Sequence, residues 1–309
     1  MPESHRRYRS TVAIDVSSIL APLRRGGADP AYRACTDGSV WWVTLTPDGP
    51  GSLRLLSRPG GAEVCATAWG AGAPWLLDQL PELLGQSDDS AGFEPTAGGD
   101  AGRVVAMAWR RHQGWRAPRT ARVFEACVAA VIEQKVTGQE ASHAWRVLLA
   151  QFGEPAPGPA PRGMHTPPAP EVWRQIPEWD LHRAGVTPHR MRTVRTVALA
   201  AKALERTGGV DASKADRILR ALPGVGEWTS AETRQRAHGD PDAVSFGDFH
   251  LAKDLCWWLT GERGDDDRLR ELLKPFAGHR YRVQRLMELE GVFAPRRGPR
   301  FAPPSHRRA

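Results

Sequence analysis

The stretch LPGVGEWTSA, residues 222–231, places two glycines in a turn between two helical patterns. Residues 215–222 predict a short helix, and residues 227–237 predict a second helix of about 16 Å at about 1.5 Å per residue. Gly224 and Gly226 allow a positive φ and a close approach by a ligand. The start of the second helix points unpaired N–H groups and a partial positive charge at this turn. The pattern therefore predicts a hairpin that binds a phosphate through its backbone.

A single carboxylate follows the hairpin at a spacing that can bring it back to the turn. The sequence HGDP at 238–241 ends the second helix. The residues 242–247 can run back about 20 Å if extended, so Asp248 returns to the level of the hairpin and of Trp228. A carboxylate at that place can do chemistry beside a bound phosphate. The alternative role, an N-cap for a helix beginning at Phe249, is compatible with it, because a carboxylate at a helix N-terminus stays ionised.

These residues resemble the motif of the helix-hairpin-helix superfamily of DNA glycosylases, a hairpin followed by a Gly/Pro-rich loop and an aspartate. Within that superfamily, the sequence is most similar to the 3-methyladenine DNA glycosylase II family. Three segments resemble the first catalytic helices of that family: FEA at 124–126, IEQKVT at 132–137 and FGEP at 152–155. The likeness is good over residues 115–290 and loose over the N-terminal hundred residues.

The resemblance implies a monofunctional DNA glycosylase that hydrolyses the N-glycosidic bond of alkylated purines, of the 3-methyladenine and 7-methylguanine type, in duplex DNA during base excision repair. Asp248 would be its catalytic carboxylate, acting on a base flipped out of the duplex. A base alkylated at N3 or N7 carries positive charge and leaves readily, so one carboxylate suffices where ordinary glycoside hydrolysis needs two. Two alternatives are a glycosylase for other damaged bases and a catalytically silent protein that keeps the hairpin as a DNA clamp.

Trp228 occupies the position at which relatives that also cleave the DNA strand carry a lysine nucleophile. Without that amine no Schiff base can form there, so the resemblance implies base release without strand cleavage. The indole face can also stack on an electron-poor alkylated base, a contact worth about 1–3 kcal/mol. The alternative interpretation is an indole buried in the core.

The resemblance assigns Gln134 and Glu232 to the base pocket together with Trp228. Glu232 lies one helical turn beyond Trp228 on the same face. Relatives often carry an aromatic residue there, so a more acidic pocket is expected; the alternative is a surface glutamate. Lys135 stands where relatives use leucine or glutamine to fill the gap left by the flipped nucleotide. It would fill the gap with its aliphatic stem or bind a phosphate, and the alternative is a solvated lysine at a helix end.

The predicted DNA contacts lie on the hairpin and just after the first catalytic helix. They are Gly224, Val225, Gly226, Thr229, Lys135 and Thr137. Thr233, one turn beyond Thr229, is more typical of a packing or surface residue. Related hairpins often bind a monovalent cation through turn carbonyls, and the resemblance implies such a site at 222–226.

The composition favours a polyanionic partner, which we expect to be double-stranded DNA containing damaged bases. The 309-residue chain carries a formal charge of +7 and has a pI near 9.7. Scattered cysteines argue against a zinc site, a disulfide framework and an iron–sulfur cluster; they are Cys35, Cys65, Cys127 and Cys256. No apolar run approaches the ~20 residues that span a bilayer, and the N-terminus is too polar for a signal peptide. We expect a cytoplasmic, nucleoid-associated monomer with no membrane contact and no cofactor besides the hairpin cation.

The predicted fold class is α+β, with a small strand-rich N-terminal α+β domain followed by an all-α helix-hairpin-helix domain of two helical lobes and a cleft. The expected divisions are residues 1–98 including a linker, residues 99–294, and a disordered basic Pro-rich tail at 295–309. In the first domain, strands are predicted at 40–45, 52–56 and 62–66, with a turn at 46–49, a helix at 75–84 and a polar linker at 87–102.

From residue 118 onward the apolar period becomes helical. The first of these helices shows apolar residues at i, i+3, i+4 and i+7 from Phe124, with Thr120 as its expected N-cap. Further helices are predicted at 141–149, 191–201, 249–260 and 268–290. The Pro-rich stretch 155–170 is expected to be an exposed loop, and the indoles of Trp145 and Trp173 are expected in the core.

Overall fold

The structure is a computed structural model that describes residues 3–58 and 60–295. A five-stranded antiparallel sheet is followed by helices, which confirms the α+β class. The strand order is β1-β5-β4-β3-β2, with β1 Glu3–Arg9, β2 Tyr32–Ala34, β3 Val40–Thr46, β4 Gly49–Ser57 and β5 Glu63–Trp69. Residues 296–309 of the predicted tail lie outside the described residues.

The three inner strands are those that the sequence predicts, and the predicted turn at 46–49 joins β3 to β4. Thr46 pairs with Gly49, and its Oγ1 donates a hydrogen bond to the Gly49 carbonyl at 2.8 Å. The two edge strands, β1 and β2, are not predicted from the sequence. β1 is mostly exposed and rich in charge, and β2 has three residues, so neither shows the apolar alternation that identifies a half-buried strand.

The helices predicted from apolar spacing are confirmed. The described residues form α1 Val16–Leu20, α2 Ala73–Leu83, α3 Gly99–Arg111, α4 Val123–Glu133, α5 Gly138–Phe152, α6 Pro170–Gln175, α7 Glu178–Arg183, α8 Pro188–Leu199, α9 Ala201–Glu205, α10 Ala212–Arg220, α11 Glu227–Ala237, α12 Leu251–Thr260, α13 Asp266–Leu273 and α14 Arg280–Glu290. One correction concerns 268–290, which forms two helices because Pro275 and Gly278, with a φ of 89°, interrupt the run. Over the described part of the chain, no helix combines the length and apolar character needed to cross a membrane.

The helical part contains two separate apolar cores, as a two-lobed domain requires. The first core is built by α4 to α11 and includes Trp145 and Trp173, which are 4% and 1% exposed as predicted. The second core is built by α3 and by α12 to α14. The chain passes from the first lobe to the second in the segment between α11 and α12, which carries Asp248. The sheet has its own core with α1 and α2, and Trp115 and Tyr281 complete it from beyond residue 98.

The stretch 87–102 is not the loose polar linker that its composition predicts. The Asp88 carboxylate is 1% exposed and lies 2.6 Å from Nη2 of Arg282 on α14. It also accepts the N–H of Ala117 at 2.8 Å. Phe93 packs into the core of the second lobe. A buried acid with a distant partner leaves no periodic signal, so composition alone suggests a linker.

The Pro-rich stretch 155–170 also packs more closely than predicted. Met164 is 3% exposed and belongs to a small cluster with Trp41 and Trp69. The two indoles stack with ring centroids 5.1 Å apart. The loop therefore covers an apolar patch of the sheet instead of lying wholly in solvent.

The start of α4 is capped from a distance. Within the described part of the chain, the hydroxyl of Thr120, the predicted N-cap, accepts only the N–H of Arg122, at 3.2 Å. The first helical N–H groups, of Val123 and Phe124, donate to the Glu205 carboxylate at 3.0 and 3.2 Å. The prediction that Thr120 caps α4 is therefore wrong. The carboxylate of Glu205 on α9 accepts the first helical N–H groups, which a side chain close in sequence was expected to accept.

Glu125, also on α4, faces a cavity of about 30 Å³ between the helix and the sheet domain. Burial raises the pKa of its carboxyl to about 7, although the Thr44 hydroxyl, which donates to it at 2.5 Å, and Arg122 oppose this shift. The native state therefore keeps a proton that the unfolded state releases from pH 4.5 upward. Its contribution to stability is present below about pH 4.5 and is lost as the pH rises through about 7.

Glu125→Gln tests this directly. Across pH 5 to 8 we expect the free energy of unfolding of the wild type to fall relative to that of the variant by up to about 3 kcal/mol, at about 1.4 kcal/mol per pKa unit. Glutamine keeps an acceptor for Thr44 but cannot ionise. Urea unfolding at both pH values measures the difference, and parallel pH dependences of the two proteins would contradict it.

Candidate active site

The predicted hairpin forms between α10 and α11. Gly224 has a φ of 89°, and a Cβ on it would lie 2.1 Å from Oγ1 of Thr193, so both conformation and space demand glycine. The Val225 N–H closes the turn on the Leu222 carbonyl at 3.0 Å. The Val225 side chain is 5% exposed and packs in the core of the first lobe. Its DNA contact stays a prediction, with its N–H closing the turn and its side chain buried.

The other hairpin amides remain open. α11 begins after Gly226 without a side-chain cap. Among the described residues, none accepts a hydrogen bond from the N–H of Gly224 or Gly226. The first-turn amides of a helix also lack intrahelical partners. This end of α11 can therefore accept a phosphate through its backbone.

Gln134, directly after α4, braces the hairpin. Its Nε2 donates to the Gly224 carbonyl at 2.9 Å and to Oγ1 of Thr229 at 2.8 Å. Thr229 is buried, so its hydroxyl serves this brace and only its N–H is left for a DNA contact. The assignment of Gln134 to the base pocket stays a prediction beside this bracing contact.

The loop after Gln134 presents its next residues to solvent. Lys135 is exposed and has a φ of 53°, a left-handed conformation that costs energy for a residue with a side chain. Thr137 is exposed, and it caps α5 in a reciprocal arrangement with Glu140. Both residues therefore lie on the surface next to the braced hairpin, where a DNA contact is sterically open.

Asp248 is half-buried and accepts two backbone N–H groups at the start of α12. Its Oδ1 accepts the N–H groups of His250 and Leu251 at 2.8 and 2.9 Å. The prediction has Asp248 as the N-cap of a helix that begins at Phe249, whereas the helix starts at Leu251, two residues later, with His250 in the N-cap position. Oδ2 receives no hydrogen bond from the described residues. One oxygen thus holds the local structure, and the other is available to a ligand.

The segment that leads to Asp248 is attached to α11 through Ser245. The Ser245 hydroxyl donates to Oε1 of Glu232 at 2.5 Å and accepts from Nε2 of Gln235 at 2.8 Å. The Asp248 N–H in turn donates to the Ser245 carbonyl at 3.2 Å. Two residues of one α11 face therefore hold the turn from which the carboxylate projects.

Arg270 of α13 ties the same segment to the first turn of α11. Its Nη2 lies 2.9 Å from both carboxylate oxygens of Glu227, the first residue of α11. Its guanidinium also stacks over the Phe246 ring at 3.8 Å from the centroid. Because Phe246 is two residues before Asp248, these contacts hold the segment that carries Asp248 beside the hairpin end of α11.

Glu232 is not the surface glutamate of the alternative interpretation. It is 7% exposed, and its Oε2 lies 2.7 Å from Nη1 of Arg236. Together with its bond to Ser245, this makes Glu232 a link between α11 and the Asp248 segment. Thr233 is fully buried, which agrees with its interpretation as a packing residue.

Trp228 is half-buried and belongs to none of the four apolar clusters of the described residues. The alternative of a core indole is therefore wrong. The ring lies on α11, next to the passage from one helical lobe to the other. Its intermediate exposure leaves part of the ring accessible to a ligand.

Three residues of this site are absent from the sequence prediction. Ser245 and Arg270 act through partners that are distant in the chain, and no local pattern identifies them. Phe249 could have been noticed, because it directly follows Asp248, and its ring is 74% exposed. A large exposed apolar side chain beside a carboxylate is a typical sign of a binding surface.

Known proteins resemble this chain in sequence and in fold. No family model matches the sequence. Over 178 residues the chain is 39% identical to a probable bifunctional transcriptional activator/DNA repair enzyme AlkA from Mycobacterium tuberculosis, covering 57% of this chain and 33% of that protein. The chain thus spans about a third of the length of this relative.

Two solved structures share the fold over nearly the whole chain. A 3-methyladenine DNA glycosylase from Archaeoglobus fulgidus matches with a TM-score of 0.75 at 15% identity, covering 93% of this chain and 98% of that one. An 8-oxoguanine glycosylase/lyase from Clostridium acetobutylicum matches with a TM-score of 0.68 at 12% identity, covering 93% and 97%. At these identities the likeness concerns the fold alone. This chain therefore shares the fold of these DNA glycosylases, and over 178 residues it is similar in sequence to an AlkA DNA repair enzyme.

Proposed function

We propose that this chain is a monofunctional DNA glycosylase that releases alkylated purines from duplex DNA. The observation that carries the proposal is the placement of one carboxylate, Asp248, on a segment held against α11. Ser245 holds this segment further along the helix, and Arg270 ties it to the first residue at the hairpin end. The hairpin would hold a DNA phosphate through the amides of Gly224, Gly226 and the first turn of α11. The free Oδ2 of Asp248 would then face the sugar of the flipped nucleotide.

A site with a single carboxylate favours a substrate whose departing base already carries a positive charge. A purine alkylated at N3 or N7 departs without protonation, so Asp248 need only stabilise the oxocarbenium-like sugar or orient water. Trp228 would offer its face to the electron-deficient base, a cation–π contact worth about 0.5–2 kcal/mol. An acid for the leaving group, which a neutral base would require, has no assigned residue in this site.

A second candidate is an 8-oxoguanine glycosylase/lyase, because one such enzyme shares the fold. Trp228 argues against it, since the strand-cleaving relatives use a lysine amine at this position. A DNA-binding protein without catalysis is a third candidate, and the intact Asp248 argues against that one.

The deciding experiment identifies the released bases. We would incubate the protein with methylated duplex DNA and, separately, with oxidised duplex DNA, and measure free bases by mass spectrometry. Release of 3-methyladenine and 7-methylguanine from the methylated DNA supports the proposal. Release of 8-oxoguanine alone favours the second candidate, and tight DNA binding without any released base favours the third.

Strand cleavage is tested separately by borohydride trapping on DNA that contains an abasic site. Because position 228 carries tryptophan, we expect no covalent complex and no nicked strand. A lysine-dependent glycosylase/lyase, run in parallel, shows that the trap works. A trapped complex of this protein would overturn the monofunctional assignment.

The hairpin would also hold a monovalent cation. The Leu222 and Gly224 carbonyls already accept hydrogen bonds from Val225 and Gln134. The carbonyls of Pro223 and Val225 accept none from the described residues, which fits oxygen ligands for potassium or sodium. Such a cation would draw the DNA phosphate toward the turn by its charge.

A further inference from the structure

Ser245 has no part in the proposed chemistry, yet each of its polar groups is bonded. Its hydroxyl donates to Oε1 of Glu232 at 2.5 Å and accepts from Nε2 of Gln235 at 2.8 Å. Its N–H donates to Oε1 of Gln284 at 3.4 Å, and its carbonyl accepts the N–H of Asp248 at 3.2 Å. The residue is 3% exposed. The protein therefore determines the position of Ser245 from several sides.

These partners belong to both helical lobes. The two side chains that bond the Ser245 hydroxyl lie on α11 of the first lobe, whereas Gln284 lies on α14 of the second. Nε2 of Gln235 also donates to the Ala243 carbonyl at 2.7 Å, so α11 holds the segment at two places. The chain is thus fixed to both lobes three residues before Asp248.

The carboxylate that accepts from Ser245 is itself anchored. Oε2 of Glu232 lies 2.7 Å from Nη1 of Arg236, one helical turn further along α11. Nε of Arg236 donates to the Pro22 carbonyl, in the chain between α1 and β2, at 2.7 Å. Hydrogen bonds to a charged group are stronger than neutral ones. A chain of three contacts therefore leads from the N-terminal part of the protein to the Ser245 hydroxyl.

The Asp248 carboxylate depends on this anchoring for its own position. Among the described residues it accepts hydrogen bonds only from N–H groups of its own turn, those of His250 and Leu251. Its place relative to the hairpin is therefore set through the backbone that joins it to Ser245. A displacement of about 1 Å of a catalytic group can cost about 10²-fold in rate. A small shift at Ser245 would thus reach the reacting atoms.

We propose that Ser245 is a positioning residue for base release. Held by Glu232 and Gln235, it sets the place of the Asp248 carboxylate and controls the rate without contacting DNA. This rests on the proposed glycosylase function, in which Asp248 acts on the sugar of the flipped nucleotide. The amides of Gly224 and Gly226 take no part in these contacts, so DNA affinity does not depend on Ser245.

The test measures rate and affinity separately for Ser245→Ala. We expect the single-turnover rate of 7-methylguanine release from methylated duplex DNA to fall by about 10- to 100-fold. The Kd for a duplex with an abasic-site analogue should stay within about twofold of the wild type. Ser230→Ala is the matched control and should change neither, because the Ser230 hydroxyl is equally buried on α11 but donates to Asp216 on α10, at 2.7 Å.

A second measurement distinguishes positioning from a general loss of structure. When position 248 carries asparagine there is no charge to place, so adding Ser245→Ala to Asp248→Asn should lower the remaining rate by less than about threefold. A merely structural role would lower the rate equally in both backgrounds. Gln235→Met removes the other side-chain contact of the hydroxyl, and we expect it to show the same pattern even if Ser245→Ala fails to fold.

Three outcomes would overturn the inference: a wild-type rate for Ser245→Ala, equal rate losses with and without the Asp248 charge, or a loss of DNA affinity as large as the loss of rate. The same experiment separates this inference from the proposed function. A wild-type protein that releases no alkylated base overturns both. An active wild type with an equally active Ser245→Ala overturns only the role of Ser245.

Discussion

Asp248→Asn is expected to lower the rate of base release from methylated duplex DNA by about 10²–10³-fold or more, the range found when one electrostatic contact to a transition state is removed. The structure indicates that this substitution removes a charge and leaves the local hydrogen bonds in place. Oδ1 of Asp248 accepts two backbone N–H groups, and the amide oxygen of asparagine can accept the same two. The fold of the segment is preserved, and only the negative charge that would stabilise the sugar cation is lost.

Three measurements separate this effect from misfolding. Binding of the asparagine variant to duplex DNA with an abasic-site analogue should stay within a few-fold of the wild type, and its thermal unfolding should be unchanged. Asp248→Ala also removes the acceptor of the two backbone N–H groups and should cost about 1 kcal/mol of stability. Base release by Asp248→Asn at the wild-type rate would remove this carboxylate from the mechanism.

Asp88→Ala is expected to destabilise the protein by about 3–5 kcal/mol, the cost of leaving a buried charge without its partner. Arg282 is fully buried, and its Nη1 already lacks a hydrogen-bond partner among the described residues. Without Asp88, the guanidinium would lie among the rings of Phe93, Trp109 and Trp115 with no counterion. Since whole domains are stable by only about 5–15 kcal/mol, urea unfolding should detect this loss easily.

Two further variants test whether the loss of stability in Asp88→Ala comes from breaking the buried ion pair. Glu178→Ala breaks an exposed pair with Arg195 and should cost less than about 1 kcal/mol. The double variant Asp88→Leu/Arg282→Met replaces the buried pair by apolar side chains and should recover most of the loss. If Asp88→Ala costs no more than Glu178→Ala, the buried pair does not hold α14 to the stretch before α3.

Glu232 stands where the resemblance implies a pocket residue, and the structure gives its buried side chain a different role. Its distance along the helix from Trp228 suggests a pocket wall, because residues four apart share a face. The same face, however, is where the chain returns toward Asp248, and Ser245 occupies the space beside Glu232. The side chain is therefore used to hold the returning segment, and the ion pair with Arg236 offsets the cost of burying its charge.

Predictions from the sequence are confirmed where the structure depends on residues that are close together in the chain. The bounds of α11 are those expected from the turn glycines and the terminating HGDP segment. The inner strands follow from apolar alternation, and the hairpin follows from the positive φ that Gly224 requires. The predictions for Thr120 and for 87–102 failed, because each depends on a partner brought from elsewhere in the chain.

The hairpin, the helices around it, the aspartate that follows them and the tryptophan at position 228 can all be read from the amino-acid sequence. These are set by backbone conformation and by side-chain identity, which need no distant partner. The folded arrangement was needed to show that Gln134 bonds to the turn, that Glu232 and Arg270 hold the Asp248 segment, and that Asp88 pairs with a residue of α14. Such contacts join side chains far apart in the chain, and their energy depends on burial and distance that arise only when the lobes pack together.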